Sequence, residues 1–269
     1  MSILLLEKTE TDLPVEAFLA EACDFPPVEL KKENTTTRAW FARSEETEYF
    51  LKWVETARYE ELLAKEAAIC SRCLHPVIVT LHGTVRTADG VLLVFEKMEG
   101  ETLQGPVLRA RFFRLPVEEK ISALRTIFDA LAAIVEDGWI LVDFYEGNVM
   151  YDFASRTVRL FDFDVFEQGD GYVLQMDRNY GSRRLMAPEE FVRGAWLDQT
   201  TNTYTLARYV INALCTNIDD WRDEMSRQPG LARVIERGVQ LDRSKRFSTV
   251  RAFVEAFRQA VEILFITPC

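Results

Sequence analysis

Histidine is almost absent from this chain of 269 residues; only His75 and His82 occur. Both lie far in sequence from any Ser or Cys set in a nucleophile elbow, which makes a Ser-His-Asp hydrolase a poor candidate. Long apolar runs are also missing. The longest, such as residues 2–6, are far too short to cross a bilayer. The first residues lack the basic flank and the length of a secretory leader. Basic residues are outnumbered, 32 against 43 acids, for a net charge of −11. That balance argues against a general nucleic-acid or anionic-membrane surface. Internal repeats and low-complexity segments are lacking too. Cysteine is sparse and odd in number: Cys23, Cys70, Cys73, Cys215 and Cys269. Without a leader, such a scattered set implies reduced thiols in the cytoplasm. No second pair completes a zinc site with Cys70 and Cys73, so those two are expected to be core thiols.

What is present is a chain long enough for one large domain or two lobes, 48% hydrophobic and so able to bury a core. Residues 27–55 read as a β-meander, with strands at 28–32, 39–42 and 49–54. Residues 56–74 carry helical periodicity through Leu62, Leu63, Ile69 and Cys73. A hairpin is expected at 84–87 and 91–95, turning at Asp89-Gly90. Residues 117–136 form the strongest amphipathic stripe, through Ile121, Leu124, Ile127, Phe128, Leu131 and Ile134. Helices are also expected at 203–214 and 249–264, and a loop rich in Gly and Asp at 167–180. Residues 1–26 have no assigned function and are expected to cap the first lobe.

The stretch from Gly138 to Phe166 sets three polar residues, Asp143, Asn148 and Asp162, among apolar runs. A hairpin, Val149-Met150-Tyr151 returning through Val158-Arg159-Leu160-Phe161, separates Asn148 from Asp162. An Asn and an Asp brought together in this way can grip a divalent cation through oxygen, with Asp143 left as a base.

These residues resemble the protein kinase superfamily, in particular divergent bacterial-type serine/threonine protein kinases. Asp143-Phe144-Tyr145-Glu146-Gly147-Asn148 stands where that superfamily has D-x-x-x-x-N, and Asp162-Phe163-Asp164 stands where it has D-F-G. Lys52, in Tyr49-Phe50-Leu51-Lys52, matches the lysine that ends V-A-I-K. His75-Pro76-Val77-Ile78-Val79-Thr80-Leu81 resembles the H-P-N-I-V-x-L segment that follows the helix carrying the lysine's acidic partner, which points to Glu66. Leu92 to Leu103 resembles the strand and hinge between lobes. The most specific match is Gly181-Ser182-Arg183-Arg184-Leu185-Met186-Ala187-Pro188-Glu189, similar to G-T-x-x-[YF]-M-A-P-E. Leu241 to Ser248 resembles the element whose Arg pairs with the final Glu, here Glu189 with Arg246.

The resemblance implies an α+β fold of two lobes. Residues 1–99, with their extension 1–26, would form a small antiparallel-sheet lobe with one main helix. Residues 100–269 would form a larger, mostly helical lobe. It implies ATP and Mg²⁺ as cofactors and transfer of phosphate to Ser or Thr of a protein substrate or partner chain. In that scheme Asp143 orients the acceptor hydroxyl, with Lys52 and Asn148 completing the catalytic set. Lys52, Glu66, the Glu96 carbonyl, the Met98 backbone and the hydroxyls of Thr35, Thr36 and Thr37 would serve ATP. Asn148, Asp162 and Asp164 would hold the metal. Asn202 falls where an Asp braces the catalytic loop.

Several positions depart from the pattern. Residues 32–37 contain no glycine where the superfamily closes a glycine-rich loop on the phosphates. Val142 replaces the Arg of H-R-D, so an activation loop switched by phosphorylation is not expected. Tyr145 stands in place of a phosphate-holding Lys, and Asp164 in place of the D-F-G glycine. Two other readings therefore stand beside the kinase: a pseudokinase acting as a binding scaffold, and a small-molecule phosphotransferase on the same fold. No sensor domain or membrane anchor is read in the chain, so regulation is expected from another chain or a ligand.

Overall fold

The computed structural model describes residues 4–30, 37–44, 46–73 and 75–266. It divides into two compact units, Met1–Glu99 with Phe161–Asp164, and Gly100–Leu160 with Val165–Cys269.

The first unit is built on a sheet of five strands in the order β1-β2-β3-β5-β4, every pair antiparallel. Its elements are α1 (Leu4–Glu7), α2 (Val15–Ala22), β1 (Val28–Glu29), β2 (Thr37–Ser44), β3 (Thr47–Glu55), α3 (Thr56–Arg72), β4 (Leu81–Arg86) and β5 (Gly90–Glu96). Alternation along the strands makes two apolar faces. Trp40 and Ala42 of β2, Tyr49, Leu51 and Trp53 of β3, and Leu92 and Val94 of β5 form one face, which is closed by Leu5, Val15, Phe18, Leu19 and Ala22 of α1 and α2. The extension expected to cap this lobe thus supplies five of the thirteen buried residues of this core. It is also pinned by its backbone: Thr11 N–H donates to Arg86 O at 2.8 Å, and Arg86 N–H donates to Thr9 O at 2.9 Å. That isolated bridge pairs the last residue of β4 on its outer edge. The other face carries Lys52, and α3 packs against β3, β4 and β5 there. Both Cys70 and Cys73 are buried, as core thiols should be, and burial pushes the Cys70 thiol up.

The second unit contains β6 (Glu101–Thr102), α4 (Pro106–Phe113), α5 (Val117–Glu136), β7 (Trp139–Ile140), β8 (Val149–Asp152), β9 (Thr157–Leu160), β10 (Glu167–Gln168), β11 (Gly171–Val173), β12 (Trp196–Asp198), α6 (Gln199–Leu214), α7 (Trp221–Glu224), α8 (Pro229–Gly238) and α9 (Val250–Ile266). α5 is its axis. Its apolar stripe is buried against α6 and α9, and Phe128 meets Tyr209, Phe253 and Phe257 edge-on. α6 begins at Asp198, whose Oδ1 accepts Thr200 N–H at 2.8 Å while Thr201 Oγ1 answers the Asp198 N–H. β8 and β9 form the expected hairpin, and β6 pairs on its outer side.

The segment 167–180 is not the plain loop its composition suggests. β10 pairs with β7, and β11 pairs with β12, setting Val173 opposite Trp196. Gly171 makes the second pairing possible, because a Cβ there would sit 2.6 Å from Trp196 and from Leu197 O. The mixed antiparallel-sheet and helical architecture is the α+β fold implied by the resemblance.

Candidate active site

In the first unit, β3 places Lys52 on the face of the sheet that α3 covers, and Glu66 projects from α3 toward it. Lys52 Nζ donates to Glu66 Oε2 at 2.7 Å, to Asp162 Oδ1 at 2.7 Å and to Asp164 Oδ2 at 2.9 Å. Glu66 also accepts the Asp162 N–H through Oε1 at 3.2 Å. The expected Lys52–Glu66 pair is therefore present, and the two acids of Asp162-Phe163-Asp164 join it. Phe163, between them, is fully buried and anchors the segment. Asp162 is held at φ 67°, a left-handed conformation uncommon outside glycine, and Asp143 in the second unit at φ 55°. Local strain thus falls on two of the residues singled out by sequence.

The electrostatics of this cluster are unbalanced. Lys52 and Glu66 are both nearly inaccessible, at 7% and 2% exposure. Burial opposes the Lys52 charge, but Glu66, Asp162 and Asp164 outweigh it and hold the ammonium well above its ordinary value. Burial, with help from the Asp162 and Asp164 charges, pushes Glu66 up to about 7 against the pull of Lys52. Three carboxylates face one ammonium, and one oxygen from each of Glu66, Asp162 and Asp164 lies within 4.8 Å of the others. An all-oxygen donor set with two negative charges in excess is suited to a divalent cation.

The catalytic-loop residues belong to the second unit. Asp143 is half-buried, and Asn148 ends a short 3-10 turn, Glu146–Asn148, with only 4% exposure. The Asn148 Oδ1 accepts the Tyr145 N–H at 2.9 Å, so its side chain closes its own loop. Tyr145, in the position of the phosphate-holding Lys, folds its ring over Gly147, where a Cβ would lie 2.3 Å from Cζ. Glycine is required there for contact rather than for φ. Asn202 braces the loop twice: its Oδ1 accepts the Leu141 N–H at 3.0 Å, and its Nδ2 donates to Leu141 O at 2.7 Å. A neutral amide thus serves both backbone groups of one residue.

Glu189 and Arg246 form the expected pair. Arg246 Nη1 donates to Oε1 at 2.7 Å and Nη2 to Oε2 at 3.0 Å, and its Nε donates to Gln240 O at 2.6 Å. Of the residues assigned to ATP, Glu96 ends β5, where its Oε1 accepts the Thr80 N–H at 2.7 Å, and Met98 lies half-buried just beyond. Thr37 begins β2 opposite Val54, while Thr35 and Thr36 lie outside the described residues.

Sequence reading missed two buried groups. Glu190, 5% exposed, accepts the Ala187 N–H at 2.7 Å and the Asn179 Nδ2–H at 3.0 Å, fastening the segment that β11 begins. Glu146, 4% exposed, contacts Arg184 and lies 3.6 Å from Arg109 Nε. The only available signal was an ionisable residue inside an apolar stretch.

A lysine tied to a helix glutamate and to the acids of Asp-Phe-Asp, an amide-braced catalytic loop, and a Pro-Glu turn pinned by a distant arginine together define a protein kinase architecture. The chain matches the protein kinase domain family over residues 35–228 and belongs to that family. It is 24% identical over 228 residues to the serine/threonine-protein kinase pkn2 of Myxococcus xanthus, a match covering 74% of this chain. The chain spans about a quarter of that relative, 27% of its length. The family is one of ATP- and metal-dependent phosphotransfer. Among the described residues, no helix is long and apolar enough to cross a membrane.

Proposed function

We propose that this chain transfers the γ-phosphoryl group of ATP to Ser or Thr hydroxyls of a protein substrate. The observation that carries this reading is the Lys52 ammonium, held within 2.9 Å of Glu66, Asp162 and Asp164. A fixed, permanently charged lysine is what the α- and β-phosphates need, and Glu66 keeps it in place when a nucleotide draws on it. Asp162, Asp164 and Asn148 would hold Mg²⁺, which when bound neutralises charge on the phosphates. Asp143 accepts the hydrogen bond of the acceptor hydroxyl, orients it and takes its proton as the new P–O bond forms and the bond from the γ-phosphorus to the β–γ bridging oxygen breaks, with ADP as the leaving group. The Glu96 carbonyl and the Met98 backbone offer hydrogen bonds to the adenine edge, and Thr35, Thr36 and Thr37 offer hydroxyls to the phosphates. The Ser/Thr kinase among the relatives supports the choice of hydroxyl and of a protein acceptor.

A second reading, a nucleotide-free scaffold, is favoured by one specific observation. Asn148 Oδ1 is already bonded to the Tyr145 N–H in a residue 4% exposed, which leaves it less available to a metal.

Thermal melting with ATP, with and without Mg²⁺, separates the two. The active reading expects a metal-dependent stabilisation of roughly 2.7 kcal/mol when ligand stands at about 100 times its Kd. Asp162→Ala should lose that stabilisation. Asp143→Asn should keep it and nearly abolish transfer. No shift at millimolar ATP gives the scaffold reading the lead.

A further inference from the structure

A cavity of about 420 Å³ opens in the second unit beside the catalytic loop. Leu103, Phe112, Phe113 and Ala213 give it apolar walls, while Arg109, Arg114 and Glu146 supply its charges. Glu146 is the third residue after Asp143, so the cavity begins where the acceptor-orienting loop turns. Cations outnumber acids here. The single carboxylate of Glu146 is contacted by Arg184 from the Gly181–Glu189 segment and approached by Arg109 at 3.6 Å. Arg114 is exposed beyond them. Arg109 is aimed in advance, because its Nη2 donates to Asn212 Oδ1 at 2.6 Å while 38% of its side chain remains exposed. The Arg184 Nε is buried without a hydrogen-bond partner. Burial and the neighbouring Arg109 both act against the Arg184 charge. On a chain of net charge −11, two lining arginines against one carboxylate make a local excess of positive charge, and the Glu146 Oε2, like the Arg184 Nε, is buried without a hydrogen-bond partner.

We propose that this cavity selects protein substrates that carry an anionic side chain, carboxylate or phosphate, near the accepting hydroxyl, with Arg109 and Arg114 as the residues that read it. A guanidinium fork matches either anion through paired N–H donors, and the phenylalanine walls take the aliphatic stem that carries it. An anion here would offset the charges of Arg109 and Arg114, whereas a basic side chain would add to them. The inference rests on the protein-acceptor reading above.

Binding, not turnover, tests it first. Fluorescence anisotropy on the full chain would compare labelled dodecapeptides with one Ser flanked by Glu, by Gln, by Lys or by phosphoserine. The Glu and phosphoserine peptides should bind roughly tenfold tighter than the Gln peptide, the size expected of one charge-assisted contact, and the Lys peptide most weakly. Added salt should erode the difference. Arg109→Gln combined with Arg114→Gln should abolish the preference while the protein still melts cooperatively, at a temperature lowered by the loss of the Arg109 bond to Asn212. Arg114→Gln alone, at an exposed position, should reduce it. Tight binding of the phosphoserine peptide alone would assign the cavity to phosphate. Equal binding of the Glu and Gln peptides, or a preference that survives the double variant, would overturn the proposal. Transfer without acid preference sinks this inference alone. Acid preference without transfer to any acceptor sinks the catalytic reading and leaves the cavity as a reader of acidic peptides, not a selector of substrates.

Discussion

At the scale of single residues, Glu189 and Arg246 set the largest stake. Arg246 is 3% exposed, and two of its donors end on Glu189. The Thr201 hydroxyl donates to the same carboxylate at 3.0 Å. Glu189→Ala would leave a guanidinium buried without its counter-charge, at a cost of about 3–5 kcal/mol. Urea denaturation should show the midpoint falling with an unchanged slope, and an unmoved midpoint would refute the pairing's structural role. Both partners were legible in the sequence, because each sits in a motif of fixed order. Lys52, Glu66 and Asp162, which meet in the structure, are singled out by the same kind of motif, as are Asp143 and Asn148. Glu146, Arg109 and Arg184 are not, because their meeting joins residues from three separate segments that share no spacing or period. The sequence presents Asp164 as a metal ligand. Its bond to Lys52 depends on the φ of 67° at Asp162, and no one-dimensional pattern reports a backbone angle.

Elements were legible in proportion to their length. The stripe at 117–136 coincides with α5, and 91–95 falls within β5, because many side chains repeat one period there. Two- and three-residue strands such as β7, β10, β11 and β12 offer no period to detect. They exist because a distant segment arrives to pair with them. α2 is a different failure: residues 1–26 are expected only to cap the lobe, and the load α2 carries is not foreseen. Phe18 is 1% exposed in the core shared with Trp40, Tyr49, Leu51 and Trp53. Phe18→Ala should therefore cost about 3–5 kcal/mol, as a core phenylalanine does and a surface appendage does not. A melting temperature within a degree of the parent would show α2 to be dispensable.

For the whole molecule, the titration of buried acids decides where stability lies on the pH scale. Burial pushes Glu66 and Glu190 each up to about 7. A carboxyl raised in the folded state binds more protons folded than unfolded, so its contribution is complete below the ordinary glutamate range and is lost as pH rises through about 7. Glu189 works in the opposite sense. Although burial resists it, the bonds from Arg246 and Thr201 hold it below its ordinary value, and its contribution fades as pH falls below that range. Melting temperature should therefore peak in mildly acidic buffer and decline from pH 5 to pH 8. Glu190→Gln should flatten the decline, by an amount on the order of 3 kcal/mol at most. A melting temperature that rises across this interval would contradict the burial assigned to both groups.

The helices laid over the outer face of the first unit's sheet also set a condition on anything that would bind there. They are joined to β1 through the chain that follows Ala22, so their docking is intramolecular. A tether this short holds its ligand at an effective concentration in the millimolar range. A regulator in free solution, present at far lower concentration, would meet a face already occupied by its own tethered competitor. It would have to bind that face several orders of magnitude more tightly than α1 and α2 do before it could take their place.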